Sequence, residues 1–206
     1  MDRMKIFIYG FAHSGTTILR KLIGDHSEVF DYVFETTSPP PHGSDRHIVF
    51  KCPGLPDWRY EKCKRIMIIK NPYDIFGSFY LRFGDEYLDI PDHRIQDYEN
   101  HVKHFLNTDD FKIKYEHLNE HSLPLIFDFL GLQYEGIKER EACAGVLMGI
   151  PNDEPENQKE GDGHVSYRTW QINQPFQNKT GESAKHLPPA CRELLAENEI
   201  IKQLYI

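Results

Sequence analysis

The stretch that most constrains this chain is Gly10-Phe11-Ala12-His13-Ser14-Gly15-Thr16-Thr17. It follows a short apolar run, Lys5–Gly10, which reads as a buried strand. It opens Thr16–Asp25, where Ile18, Leu19, Leu22 and Ile23 recur at helical spacing. Glycines let the backbone curl until several N–H groups converge, and the helix N-terminus adds a fractional positive charge. Ser14, Thr16 and Thr17 contribute hydroxyl donors. A strand, this turn and a helix together make an anion cradle, and the predicted ligand is a phosphate group.

The rest of the chain continues the alternation. Val29–Phe34, His47–Lys51, Arg65–Lys70 and Phe111–Tyr115 read as strands. Helices are expected after Asn71, over Ile95–Leu106, over Leu123–Leu130 up to Gly131, and over Pro188–Leu204. Asn71 suits a helix cap, Pro72 the first helical position, and Asp74 the first turn. Ser38–Ser44 and the acidic Asn152–His164 read as loops, the latter as a mobile lid at about residues 150–168. The expected fold is α/β: one P-loop-like domain over residues 1–206, with a mainly parallel sheet flanked by helices on both faces.

Composition excludes several classes. Of 206 residues 39% are hydrophobic and 13% aromatic, which predicts a folded core. No apolar run approaches the ~20 residues needed to span a bilayer. The apolar stretch Ile6–Tyr9 is too short for a signal-peptide core, so a cytoplasmic, soluble protein is expected. A net charge of −8 argues against nucleic acid or an anionic membrane as partner. Cys52, Cys63, Cys143 and Cys191 lie far apart and read as reduced thiols.

The turn has the spacing G-x-x-x-x-G, but Thr16 stands where a nucleotide triphosphatase carries its lysine. No predicted strand ends in an aspartate suited to magnesium; Lys51 and Lys70 end strands instead. Lysines without a metal carboxylate suit transfer of a group less charged than phosphoryl. His117–His121 matches H-x-x-E-H formally, but it follows a strand and meets Pro124, so zinc is not expected.

These residues resemble the sulfotransferase family, with matches in order over most of the chain. Gly10–Thr17 with Ile18-Leu19 is similar to its 5′-phosphosulfate loop. Arg65–Phe83 is similar to its 3′-phosphate segment, in which a basic residue precedes Asn-Pro and a serine follows on the helix. Phe111–Leu118, Phe129-Leu130-Gly131 and Leu204-Tyr205-Ile206 resemble later family elements. The resemblance implies 3′-phosphoadenosine 5′-phosphosulfate (PAPS) as donor, the 3′,5′-bisphosphate (PAP) as product, and no metal. It implies that His13, Ser14, Gly15, Thr16 and Thr17 hold the 5′-phosphosulfate, Lys70 and Ser78 the 3′-phosphate, and that Tyr115 lies near the adenine. Lys179, Thr180 and Gly181 match a late element that closes over the 3′-phosphate, with Lys185 the alternative. His13 and Lys70 stand where the family carries other basic residues.

By the same resemblance Glu35, at the end of the second strand, is the catalytic base, and Lys51 lies near the reaction centre with His13. The acceptor is expected to be a small molecule or carbohydrate offering a hydroxyl or an amine; its identity and the oligomeric state stay open. His42, His47, His101 and His104 are histidine alternatives. A P-loop kinase and a non-catalytic nucleotide-binding module remain as competing readings.

Overall fold

Short apolar runs closed by turns are stable only when both faces are covered, and five of them here pair into one parallel sheet. The computed structural model describes residues 3–36, 39–40, 45–84, 92–137 and 180–205. The strands are β1 (Lys5–Gly10), β2 (Val29–Glu35), β3 (His47–Pro53), β4 (Lys64–Ile69) and β5 (Phe111–Lys114). Their order is β2-β3-β1-β4-β5, every pairing parallel. From β1 the chain passes to the edge strand β2, returns to β3 beside β1, then crosses to β4 and β5 on the other side. The crevice beyond the C-terminal ends of β1 and β4 is therefore the switch point, where ligands of open α/β sheets bind.

The helices are α1 (Thr16–Gly24), α2 (Pro72–Phe83), α3 (Asp92–Asn107), α4 (Leu123–Leu130), α5 (Pro189–Glu197) and α6 (Glu199–Tyr205). Alternation sends Phe7, Tyr9, Met67 and Ile69 to one face of the sheet. There they share a core with Phe76, Tyr98, Val102 and Leu204 of α2, α3 and α6. Ile6, Ile8, Ile66 and Ile68 point to the other face, on the side of α1, and are fully buried. Each such side chain contributes about 1.5–3 kcal/mol relative to leaving it exposed. The expected sheet is thus found.

Caps form where the sequence asked for them. Asn71 accepts from the Tyr73 N–H ahead of Pro72, and α4 ends on Gly131 at φ 74°. Three expectations need correction. The single helix over Pro188–Leu204 is two, broken at Asn198, whose backbone is extended and whose Oδ1 accepts from the N–H groups of Ile200 and Ile201. An asparagine gains more as the cap of a new helix than inside an old one. Tyr115 does not end β5; it begins a single 3₁₀ turn, Tyr115–His117. β3 continues two residues past Lys51 to Pro53.

By compactness the chain divides into two units: Met1–Tyr134 with Asn178–Ile206, and Glu135–Gln177. The loop Asn152–His164 and Cys143 lie outside the described residues, as does most of Ser38–Ser44.

One helix contact sets the position of the late segment. A Cβ on Gly77 of α2 would stand 2.1 Å from the Ser183 carbonyl oxygen and 2.6 Å from its carbon. Backbone meets backbone there, so no side-chain rotation relieves the clash. Gly77→Ala should destabilise the protein by about 1–3 kcal/mol, read from the urea midpoint, despite alanine's better helix propensity.

Candidate functional site

The turn between β1 and α1 closes over the switch point. His13 has φ 64° and Gly15 φ 98°, so two of three successive residues are left-handed and the backbone folds inward. For His13 this costs energy that glycine would not pay. Among the described residues no side chain caps α1, and no acidic residue occupies its first turn. Its leading N–H groups are thus the kind of donors that an anion satisfies. Thr16 is buried, and Thr17 half-buried, in that first turn. Ser14 is fully buried, and its Oγ has no hydrogen-bond partner among the described residues. A buried hydroxyl left in that state costs about 1–3 kcal/mol, which a ligand oxygen would recover.

Gly15 sits against an aromatic ring. A Cβ there would lie 2.4 Å from Cδ2 of Tyr115. On the same ring, 4.6 Å from its centroid, stands the ammonium of Lys70, just beyond β4. The turn, β4 and β5 thus bring Ser14, Gly15, Lys70 and Tyr115 together. Lys70 is buried, and burial pulls its pKa below the usual lysine value of 10.5, while Asp74 and Glu116 oppose the fall. A lysine whose charge is partly stripped of water gains from an anion more than an exposed one does.

His13 and Ser78 also meet. His13 Nδ1 and Ser78 Oγ are joined at 3.0 Å, and the histidine ring lies on Phe79 with centroids 4.2 Å apart. Both ring and hydroxyl are therefore held by α2.

The late segment reaches the same helix end. Asp74, nearly fully buried, accepts from the Gly181 N–H at 2.7 Å and from the Ala184 N–H at 3.1 Å. Thr180 and Gly181 are exposed next to this anchor, and Lys185 is exposed in the turn that follows. Lys179 lies outside the described residues.

A second group lies on the other side of β1. Lys51 of β3 is buried and donates to Glu35 Oε1 at 2.5 Å from the end of β2. Register explains the pair, since Glu35 and Lys51 are direct partners across the two strands. Cys52 beside them is half-buried, and burial first, then Glu35, raises its thiol pKa.

The histidine alternatives disperse. His47 Nδ1 accepts from the Met4 N–H, His101 is buried against Phe11, and His104 contacts the Tyr9 hydroxyl. His42 lies outside the described residues. His117 ends the 3₁₀ turn and His121 precedes α4, so no helix carries both. Sequence reasoning missed Glu116, Tyr98 and the anchoring role of Asp74. Asp74 looked like an ordinary first-turn acid, and no local pattern marks its long-range partners.

Compared with known structures, the chain aligns over 99% of its length with 89% of mouse sulfotransferase SULT7A1 complexed with PAP, at 15% identity and a TM-score of 0.56. The chain has a sulfotransferase fold. It also aligns over 98% of its length with 82% of retinol dehydratase in a complex with retinol and PAP, at 14% identity and a TM-score of 0.53. A retinol dehydratase complex with androsterone and inactive cofactor PAP gives 0.54 at 14% identity, over 97% of this chain and 80% of that one. No family model and no curated protein matches the sequence. A sulfotransferase fold is what the motifs predicted. No helix among the described residues is long and apolar enough to cross a membrane.

The buried ammonium carries a stability consequence. Folded Lys70 releases its proton at lower pH than unfolded Lys70, so in the window below 10.5 the unfolded state binds more protons and stability rises with pH. Lys70→Met should therefore be more stable than wild type near pH 7 without ligand. The advantage should shrink toward pH 10, as read from paired urea titrations.

Proposed function

We propose that the protein is a sulfotransferase that moves a sulfuryl group from PAPS to a hydroxyl or amine of a small-molecule or carbohydrate acceptor. One observation carries the reading: the Tyr115 ring meets both the glycine of an anion-binding turn and the ammonium of Lys70. A nucleotide with phosphates at both ends of its ribose asks for that order of groups, an oxyanion cradle, an aromatic face and a second cation. The residues fit the donor. The orphaned Ser14 hydroxyl and the uncapped N–H groups of α1 suit the 5′-phosphosulfate. Lys70 suits the 3′-phosphate, Tyr115 the adenine, and Thr180 with Gly181 a cover held by Asp74.

Bound PAPS supplies a sulfuryl group whose bond to the 5′-phosphate oxygen breaks as the acceptor oxygen or nitrogen bonds to sulfur. Glu35 takes the acceptor's proton, and the ion pair with Lys51 fixes where its carboxylate points. Lys51 also brings positive charge to the side of the loop where Glu35 stands. His13, set by Ser78 and Phe79, offers its other ring nitrogen to the leaving oxygen. The retinol dehydratase structures are complexes with retinol and PAP and with androsterone and PAP, which supports a small-molecule acceptor here as well.

Thermal melting with PAP and with ATP–magnesium tests the donor. A ligand at about 100 times its dissociation constant adds ~2.7 kcal/mol, which raises the melting temperature measurably. Stabilisation by PAP, lost in Lys70→Ala, is expected; stabilisation by ATP–magnesium alone would replace this reading with a kinase. Once an acceptor is found, Glu35→Gln should lower kcat by about 10²–10⁴-fold while PAP affinity stays constant in calorimetry. A kcat within threefold of wild type would remove Glu35 as base.

A further inference from the structure

The backbone that presents Lys70 is held from beneath at two successive residues. The Tyr98 hydroxyl, buried on α3, donates to the Lys70 carbonyl oxygen at 2.7 Å. Oε1 of Glu116 accepts from the Asn71 N–H at 2.6 Å. The first bond fixes the carbonyl of the residue that bears the ammonium, and the second fixes the amide that follows it. Lys70 and Asn71 form the joint between β4 and α2, where no ladder or helix bond would hold either group.

Glu116 adjoins Tyr115 in one 3₁₀ turn. It therefore ties the turn that carries the ring to the turn that carries the ammonium. Across this tie Lys70 Nζ lies 4.6 Å from the Tyr115 ring centroid. A ribose bound with its base on Tyr115 and its 3′ substituent on Lys70 needs those two groups at a set separation. The negative charge of Glu116 also helps keep Lys70 ionised against burial, together with Asp74.

We propose that Glu116 and Tyr98 are positioning residues that make the nucleotide site selective for a 3′-phosphorylated adenosine, by clamping the Lys70–Asn71 backbone to the turn of Tyr115. The proposal rests on the donor-site reading above. Both bonds are made to backbone, so the effect is on discrimination: the two residues govern how well the site tells PAP from adenosine 5′-phosphate (AMP), which lacks only the 3′ group.

Isothermal calorimetry with PAP and AMP separates the possibilities. Wild type should prefer PAP, and Lys70→Ala should lose the preference. Glu116→Ala should narrow it by about tenfold with AMP affinity nearly unchanged, the size expected for a hydrogen bond to a charged group. Tyr98→Phe should narrow it by about threefold to tenfold by the same mechanism. Glu116→Gln keeps an oxygen acceptor for the Asn71 N–H and should restore most of the preference that Glu116→Ala loses. A purely structural role would weaken PAP and AMP equally, and that result would overturn the clamp. So would a preference that Lys70→Ala abolishes but that stays intact in both Glu116→Ala and Tyr98→Phe. Equal binding of PAP and AMP by wild type would overturn the donor-site reading, and the clamp with it. Should Glu116→Ala fail to fold, Tyr98→Phe, which loses a single oxygen, decides the question alone.

Discussion

The contact of Gly15 with the Tyr115 ring organises this end of the sheet. With φ 98° and no Cβ, Gly15 lets the turn lie on the ring at a distance that any side chain would prevent. That closeness joins the end of β1 to the end of β5, across β4. Lys70, emerging from β4 between them, then has one apolar surface on which to rest, and its ammonium lies over the ring. Three segments far apart in sequence, set side by side by the β1-β4-β5 pairing, can thus close on one another because one residue has no side chain. The Ser14 hydroxyl is buried by the same closure.

The electrostatics follow from this packing. A chain with net charge −8 repels anions at long range, so an anionic ligand must be held by local groups. Two carboxylates, Asp74 and Glu116, lie near Lys70 and would seem to defeat it. Both also hold backbone: Asp74 accepts from Gly181 and Ala184, and Glu116 Oε1 from Asn71. A carboxylate satisfied by N–H donors presents less of its charge to a ligand, yet still supports a neighbouring ammonium against burial. The arrangement lowers stability at the site in exchange for a cation already stripped of part of its water, a trade seen where function sets the sequence.

Local signals made the fold legible. The boundaries of β1 and α4 matched residue for residue, because a glycine closes each and the apolar pattern is unbroken. The Asn71-Pro72 start of α2 was equally plain, being written in cap chemistry. The break at Asn198 was not, since asparagine inside an amphipathic pattern is tolerated often enough that only tertiary packing decides. In the candidate site, the closeness of the turn and Lys70 was legible from their place after strands. The tie between Asp74 and Gly181 was not, for it joins residues 107 apart in sequence and nothing near either one announces it. Glu116 stood in a recognised motif, but its partner is a backbone amide, which leaves no mark in the sequence.

The sheet order separates the two tasks of the proposed reaction. Lys70 and Tyr115 lie on the β4–β5 side of β1, and Glu35 with Lys51 on the β2–β3 side. The turn after β1 is the one element between them. His13 belongs to that turn, yet its ring is fixed by Ser78 and Phe79 of α2, which follows β4. A shift of α2 against the sheet therefore moves Lys70, His13 and the segment anchored on Asp74 together, while β2 and β3 keep Glu35 and Lys51 in register. The two groups of residues thus sit on different strands, joined through the pairing of β1 with β3. Clamping the Lys70–Asn71 joint, the root of α2, steadies the donor side at the point where β4 hands over to that helix.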